Sequence, residues 1–472
     1  MDSYVIDEER ISLKEKKYLV LLLLLLPFVC LLANIGLARY LTLLFPVMSF
    51  SLGVILLQFS SKLYILFSII LHFFGSEVQR YIDFKSNTFN AGYLTFSADL
   101  VTALSCLTFF KCIFKDRGNV KLFFPYLISI AACIYTLLIS LINNPPQDFL
   151  LVSLFPGLIN PIFFGFYLVY NWRDYRIHVR ILEATFIWGG LALSIYGLYQ
   201  FFVAPEWDTF WLNNTEKWSY GLPEPFSIRI WSGTHNYHVY ATTMIIGIMF
   251  LLLRSNRFFS SIHCWILFVL TLLLTQARAS WLTGLSTLLF YVLKLKFKDK
   301  IILITVVGFL LILFSFIVQF DPFSAIISDR LSSFFNLEEE TSFNARVDGY
   351  EKLIVFALLQ PIGQGIGAPI DTGDTGYYIG DGSVIPFLIW FGWIGITLYL
   401  LGVFSILLKL ISVDSSYDKN VLLFQSISIG IFTAIPLNNI LMGTLGLYFW
   451  SFTSIGLSAK WFHSSNLFKE LN

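Results

Sequence analysis

The sequence predicts an all-α polytopic membrane protein of about fourteen transmembrane helices, with two long outer loops of which the second contains a surface helix. Three observations carry that expectation. The 472 residues are 57% hydrophobic and 13% charged, with a mean hydropathy of +0.73, far from the balance of a chain that folds in water. Apolar runs of about 15 to 25 residues recur between short charged loops, the length at which a helix satisfies its own backbone across a hydrocarbon layer. The 31 Lys and Arg residues are concentrated in alternate loops, as retention of cations on the cytoplasmic side demands.

The apolar runs cover 18–38, 40–59, 62–75, 92–114, 121–142, 149–170, 181–203, 237–253, 259–276, 280–293, 301–320, 383–411, 421–440 and 442–459. The run 62–75 is short, and the last two spans meet near Asn438 and Asn439. Arg10, Lys14, Lys16 and Lys17 precede the Leu21–Leu26 run without a small-residue cleavage site behind it, so the first run reads as an uncleaved helix. With the N-terminus inside and sides alternating, 22 basic residues fall in the inner loops and 9 in the outer ones. An odd error in the number of spans would invert every later loop and erase that bias.

Two outer loops are long, which divides the chain into N-terminal helices (1–203), a first outer loop (204–236), central helices (237–320), a large outer loop (321–382) and C-terminal helices (383–472). Loops of this length usually carry function. In the second, Val347, Tyr350, Leu353, Ile354 and Leu358 recur at helical spacing until Pro361 and Gly363 end the pattern, which predicts a lid-like helix on the outer surface. Trp207, Trp211, Trp218, Tyr220 and Trp231 of the first loop fit either stacking on sugar rings or anchoring at the membrane interface.

Composition narrows the chemistry. A net charge of +1 with no basic domain excludes nucleic acid as the partner and leaves the lipid bilayer as solvent. Cys30, Cys106, Cys112, Cys133 and Cys264 lie in or beside apolar runs without a CxxC, which argues against a disulfide framework or a zinc site. His235 and His238 lack carboxylate or cysteine company, so no metal and no other cofactor is expected.

Candidate residues gather on the outer side. Arg278, in Thr275-Gln-Ala-Arg278-Ala-Ser280-Trp281, stands at the edge of hydrocarbon, where an arginine needs a partner or a wet cavity; a snorkelling loop arginine is the plainer account. Arg346 belongs to Asn344-Ala-Arg346-Val-Asp348-Gly-Tyr350-Glu351, where a guanidinium can fork onto phosphate oxygens or pair with Asp348 or Glu351. Gly363, Gly365 and Gly367 follow, a backbone that a ligand can approach closely. Asp381-Gly-Ser383 opens the next helix, and Asp381 serves there as an acid–base group or as a helix cap. Asp99 and Glu183 are charged groups at or inside apolar spans; Asp99 lies toward the outer end, whereas Glu183 beside Arg180 reads as structural.

Taken together, Thr275 to Trp281, Arg346 in its helix, Gln360 to Gly367, and Asp381-Gly-Ser383 before Pro386 to Gly395 resemble the O-antigen ligase/polymerase family of membrane glycosyltransferases over about residues 230 to 410. Ser232-Gly-Thr-His235-Asn236 is similar to that family's Gly-x-x-x-Asn lead-in to a helix. The resemblance implies a bacterial inner (plasma) membrane enzyme working on its periplasmic face with a glycan on undecaprenyl pyrophosphate, the diphosphate held by Arg278 and Arg346. Asn236, Gly363, Gly365, Gly367 and Asp99 are the further substrate-binding candidates. Ligase members carry a histidine where this chain has Asp381, and many polymerases carry aspartate. The resemblance therefore implies a metal-independent, inverting polymerase of O-antigen or exopolysaccharide and leaves room for a chain-length regulating partner; a ligase acting on lipid A core and a lipid-linked oligosaccharide flippase are the alternatives.

Overall fold

The computed structural model describes residues 13–89, 94–114, 120–143, 149–215, 218–253, 262–317, 319, 324, 341–368, 382, 384–416 and 418–470. The chain is all-helical: 84% is helix, with no strand among the described residues. A helix overlaps each predicted span, and six helical stretches among the described residues are long and apolar enough to cross a membrane.

The first such stretch, Lys17–Phe59, folds back on itself. Helices α1 (Leu13–Leu32) and α2 (Ala38–Phe59) flank a π-helical turn, Ala33–Leu37, in which Gly36 takes φ +92°. A straight helix would part residues 15 and 60 by roughly 65 Å. Instead Ser60 Oγ donates to Glu15 Oε1 at 3.0 Å, and the rings of Tyr18 and Phe59 stack. Helix α3 (Ser61–Ser86) then climbs beside both, and at its far end Tyr81 donates to Asn34 Oδ1. The hairpin thus has a basic end, near Lys62, and a far end at Asn34.

Sequence reading limits this third span to 62–75, yet α3 runs on through Glu77, Gln79, Arg80 and Asp83. The polar residues lower its hydropathy but pack against the segment 204–236, so helix geometry persists for about 39 Å, past the hydrocarbon thickness. The next stretch is α4 (Phe96–Ala103) and α5 (Cys106–Phe114), broken at Leu104 and Ser105. Then follow α6 (Val120–Asn143) and α7 (Phe149–Tyr170). α8 (Tyr175–Ala184) and α9 (Gly190–Val203) are joined through a π-helical turn.

Helix α10 (Glu206–Thr215) lies within the long segment 204–236, whose Leu212, Tyr220, Ile228 and Trp231 form a small core with Tyr237, Ala241 and Ala277. For two of the five aromatic residues singled out in this segment, burial settles the role. Trp231 is fully buried, Tyr220 nearly so, and Trp207 Nε1 donates to Glu77. The burial of Trp231 and Tyr220 leaves neither ring a face for a sugar.

Helices α11 (Tyr237–Leu253), α12 (Ile262–Leu274), α13 (Arg278–Lys294) and α14 (Phe297–Ile317) complete the central group. Between α14 and the C-terminal helices, α15 (Thr341–Leu358) buries Leu353 and Ala357 and exposes Val355 and Leu358. It packs on α16 (Val384–Ile411), which is broken at Gly392, φ +60° and ψ −174°.

Residues 360–368 are sewn into that break. Gln364 and Gly365 donate backbone N–H groups to Ile389 O and Trp390 O at 2.8 and 3.0 Å, while Trp393 and Ile394 donate to Gln360 O and Pro361 O. Ser140 of α6 donates to Ile366 O, and Tyr135 to Ile362 O. Irregular backbone in a membrane bundle requires such internal partners. Gly363, Gly365 and Gly367 all have φ between +77° and +91°. A Cβ on Gly365 would sit 2.3 Å from Ser140 Cα, and one on Gly363 2.5 Å from Gly392 N. At Gly363 and Gly365 it is the chain's own backbone that makes the close approach. Gly365→Ala is therefore expected to lower the melting temperature of the purified protein by several degrees, since neither the φ nor the space admits a methyl group; an unchanged transition would show that the seam has slack.

The last pair, α17 (Lys419–Thr433) and α18 (Gly443–Glu470), departs from the expected 421–440 and 442–459. Helix α17 stops at Thr433, and Ala434–Met442 forms turns with Asn438 buried. Pro436 supplies no N–H and Asn438 bends its own backbone, with Ile440 donating to Asn438 O, so the apolar run ends its helix early.

Candidate functional site

The turns at 434–442 border a polar cavity at the far end of the bundle. One lobe, of about 230 Å³, is lined by His235, Asn236, His238, Asn438, Asn439 and Thr444 with Val239, Met442, Gly443 and Leu445. The other, of about 170 Å³, shares His235, Met442, Gly443 and Thr444 and adds His72, Ser76, Thr95 and Asp99 with Leu71, Gly75, Ala98 and Gly157. Two residues that sequence reading selected, Asp99 and Asn236, come together here.

Local structure fixes the lining. Asn236 caps α11, its Oδ1 accepting from His238 N–H at 2.7 Å. The ring of His238 meets Ser280 Oγ at 3.1 Å, which ties α11 to the first turn of α13, two residues from Arg278. The floor is His72, whose two nitrogens lie 3.1 Å from Thr444 Oγ1 and Thr102 Oγ1. Thr102 gives its own proton to Ala98 O, so His72 Nε2 donates to Thr102 and Nδ1 accepts from Thr444. Eleven residues of α3 separate His72 from Ser61, about 16 Å along the helix, close to half the membrane depth. Nothing in the sequence marks His72, because a lone histidine in an apolar run reads as a packed core residue.

Arg80 is the second residue that sequence reading passes over. Its side chain is 2% exposed and wholly engaged: it contacts Glu77, lies 2.6 Å from Asp208 Oδ1, donates to Ser232 O and to Thr234 O, and stands over the ring of Trp231. Asp208 also accepts from Tyr196 and Gln200 at 2.8 Å. Burial pushes the Asp208 carboxyl above its ordinary range, and Arg80 and these donors pull it back. With every donor of Arg80 turned inward, it fastens the loop instead of meeting a ligand. By holding the carbonyls of Ser232 and Thr234 it sets the segment that carries His235 and Asn236 into the cavity.

Arg278 is half-buried at the start of α13, which packs on α17 where Thr283 and Thr287 meet Gly430. Arg346 belongs to α15, but its side chain falls outside the described residues; one turn later Tyr350 donates to Pro436 O at 3.1 Å. Asp381 lies outside the described residues too. Its neighbour Gly382 faces Tyr350 Oη and Pro436 O, each 3.0 Å from where a Cβ would be. Glu183 sits in α8 beside Arg180, away from the cavity lining. No family model, curated protein or solved structure matches the chain.

Proposed function

We propose that the chain is a polymerase of a surface polysaccharide, a membrane glycosyltransferase with about fourteen crossings whose site opens on the outer face. The carrying observation is convergence: Tyr350 of α15 and Gly382 both meet Pro436, while His238, which lines one cavity lobe with Asn438 and Asn439, reaches Ser280, two residues from Arg278. The donor in this reading is a glycan on undecaprenyl pyrophosphate. An acceptor hydroxyl attacks the anomeric carbon, the bond from that carbon to phosphate oxygen breaks, and the electron pair leaves with the diphosphate. Arg278 and Arg346 stabilise the charge that develops there, more than they stabilise the bound donor. Asp381 takes the hydroxyl proton.

The test is purified full-length protein in liposomes with labelled lipid-linked repeat units, without nucleotide sugar or added metal. Longer lipid-linked glycan is the expected product; its absence with every such donor tried sinks the reading. A second reading, a lipid-linked oligosaccharide transporter, is favoured by the break at Gly392 and the unwound stretch Ala434–Met442, because membrane transporters build midplane sites from discontinuous helices. Appearance of unextended substrate on the opposite leaflet of the same liposomes identifies it.

A further inference from the structure

The cavity and the arginines differ in chemistry. Among the described residues no Lys or Arg lines either lobe, and no cation pairs with the Asp99 carboxylate. The walls offer amides (Asn236, Asn438, Asn439), imidazoles and hydroxyls, groups that both donate and accept, together with one carboxylate that accepts. A diphosphate only accepts, and among the described lining residues it finds no cation. A sugar ring matches the set, since each hydroxyl donates and accepts while its C–H faces suit Leu71, Ala98, Val239 and Met442. Size agrees: lobes of about 230 and 170 Å³ that share four residues reach the volume of a small-molecule site, far more than one ion requires.

We propose that this cavity is a subsite for a neutral sugar, with Asp99 accepting one of its hydroxyls and the amides of Asn438 and Asn439 grasping the opposite side. His72 spends both nitrogens on Thr102 and Thr444, so it forms a fixed floor instead of a base. Assignment of the bound sugar as the acceptor rests on the proposed glycan transfer. It separates the two substrates in space: the diphosphate by the start of α13, the attacking hydroxyl in the cavity.

Saturation-transfer NMR on the purified full chain in micelles, with a panel of methyl glycosides of common hexoses, N-acetylhexosamines and deoxyhexoses, tests the subsite directly. At least one glycoside is expected to be saturated by the wild type. Asp99→Asn, and separately Ser76→Leu to fill the lobe, should weaken that binding about tenfold or more while the melting temperature stays put. No saturation by the wild type, or equal saturation in both variants, overturns the subsite. In the liposome assay Asp99→Asn should raise the acceptor concentration needed for half-maximal rate about tenfold and leave retention of the lipid-linked donor unchanged. Lost glycoside binding with unaltered acceptor dependence overturns the acceptor assignment. Lost glycoside binding in the variants of a protein that transfers nothing leaves the subsite standing and removes the transfer reading instead.

Discussion

Alanine in place of Arg278 is expected to abolish polymer in cells while the protein remains at wild-type abundance, and the same result is expected for Arg346→Ala. Removal of one preorganised donor from a developing anion typically costs about 10²- to 10³-fold in rate, enough to leave single repeat units where chains were. Lysine at either position should restore only part of the activity, since an ammonium keeps the charge and loses the fork. Surface glycan from each variant strain, resolved by length beside an immunoblot of the protein, decides the matter. Wild-type chain lengths from either alanine variant would remove the arginine mechanism.

The second large effect concerns stability. Arg80→Ala strips the cation from Asp208 and Glu77 and frees the carbonyls of Ser232 and Thr234 in one step. Breaking a buried ion pair from one side costs about 3–5 kcal/mol, because the abandoned charge stays desolvated. The loop should therefore loosen well before the bundle, and Trp231, over which Arg80 stands, and Trp207, bonded to Glu77, are built-in reporters of it. A tryptophan-fluorescence melt in detergent is expected to show an early transition in Arg80→Ala that the wild type lacks. Replacing Arg80, Asp208 and Glu77 together by Met, Leu and Gln should recover much of the loss, since no stranded charge remains. A single wild-type transition in Arg80→Ala would mean that the pair contributes nothing to holding the loop.

Hydrophobicity alone made the helical architecture readable, since a helix overlaps each apolar run; Asp99 stood out as a charge inside such a run, whereas Asn236 stood out only through the likeness of residues 232–236 to a family motif. Features that depend on a distant partner stayed hidden. Arg80 looks like one more outer-side cation until Asp208, 128 positions away in the chain, is brought to 2.6 Å. Gly363 and Gly365 signal a close approach, but spacing does not say whether ligand or backbone does the approaching; here it is α6 and α16. The early stop of α17 is of the same kind, because an apolar run fixes burial without fixing hydrogen bonds, and Pro436 with Asn438 decided the latter.

The turn at Gly36 has a topological consequence. A chain that goes out and returns ends on the side it left, so the hairpin of α1 and α2 adds nothing to the sidedness of the helices beyond it. Only 24% of its apolar window is buried against the protein, compared with 56% for Ser61–Ser86, so most of that window lies open at the rim of the bundle. The opposite face of the pair, with Val29, Leu41, Phe45 and Leu56 fully buried, packs it on α3 and α4.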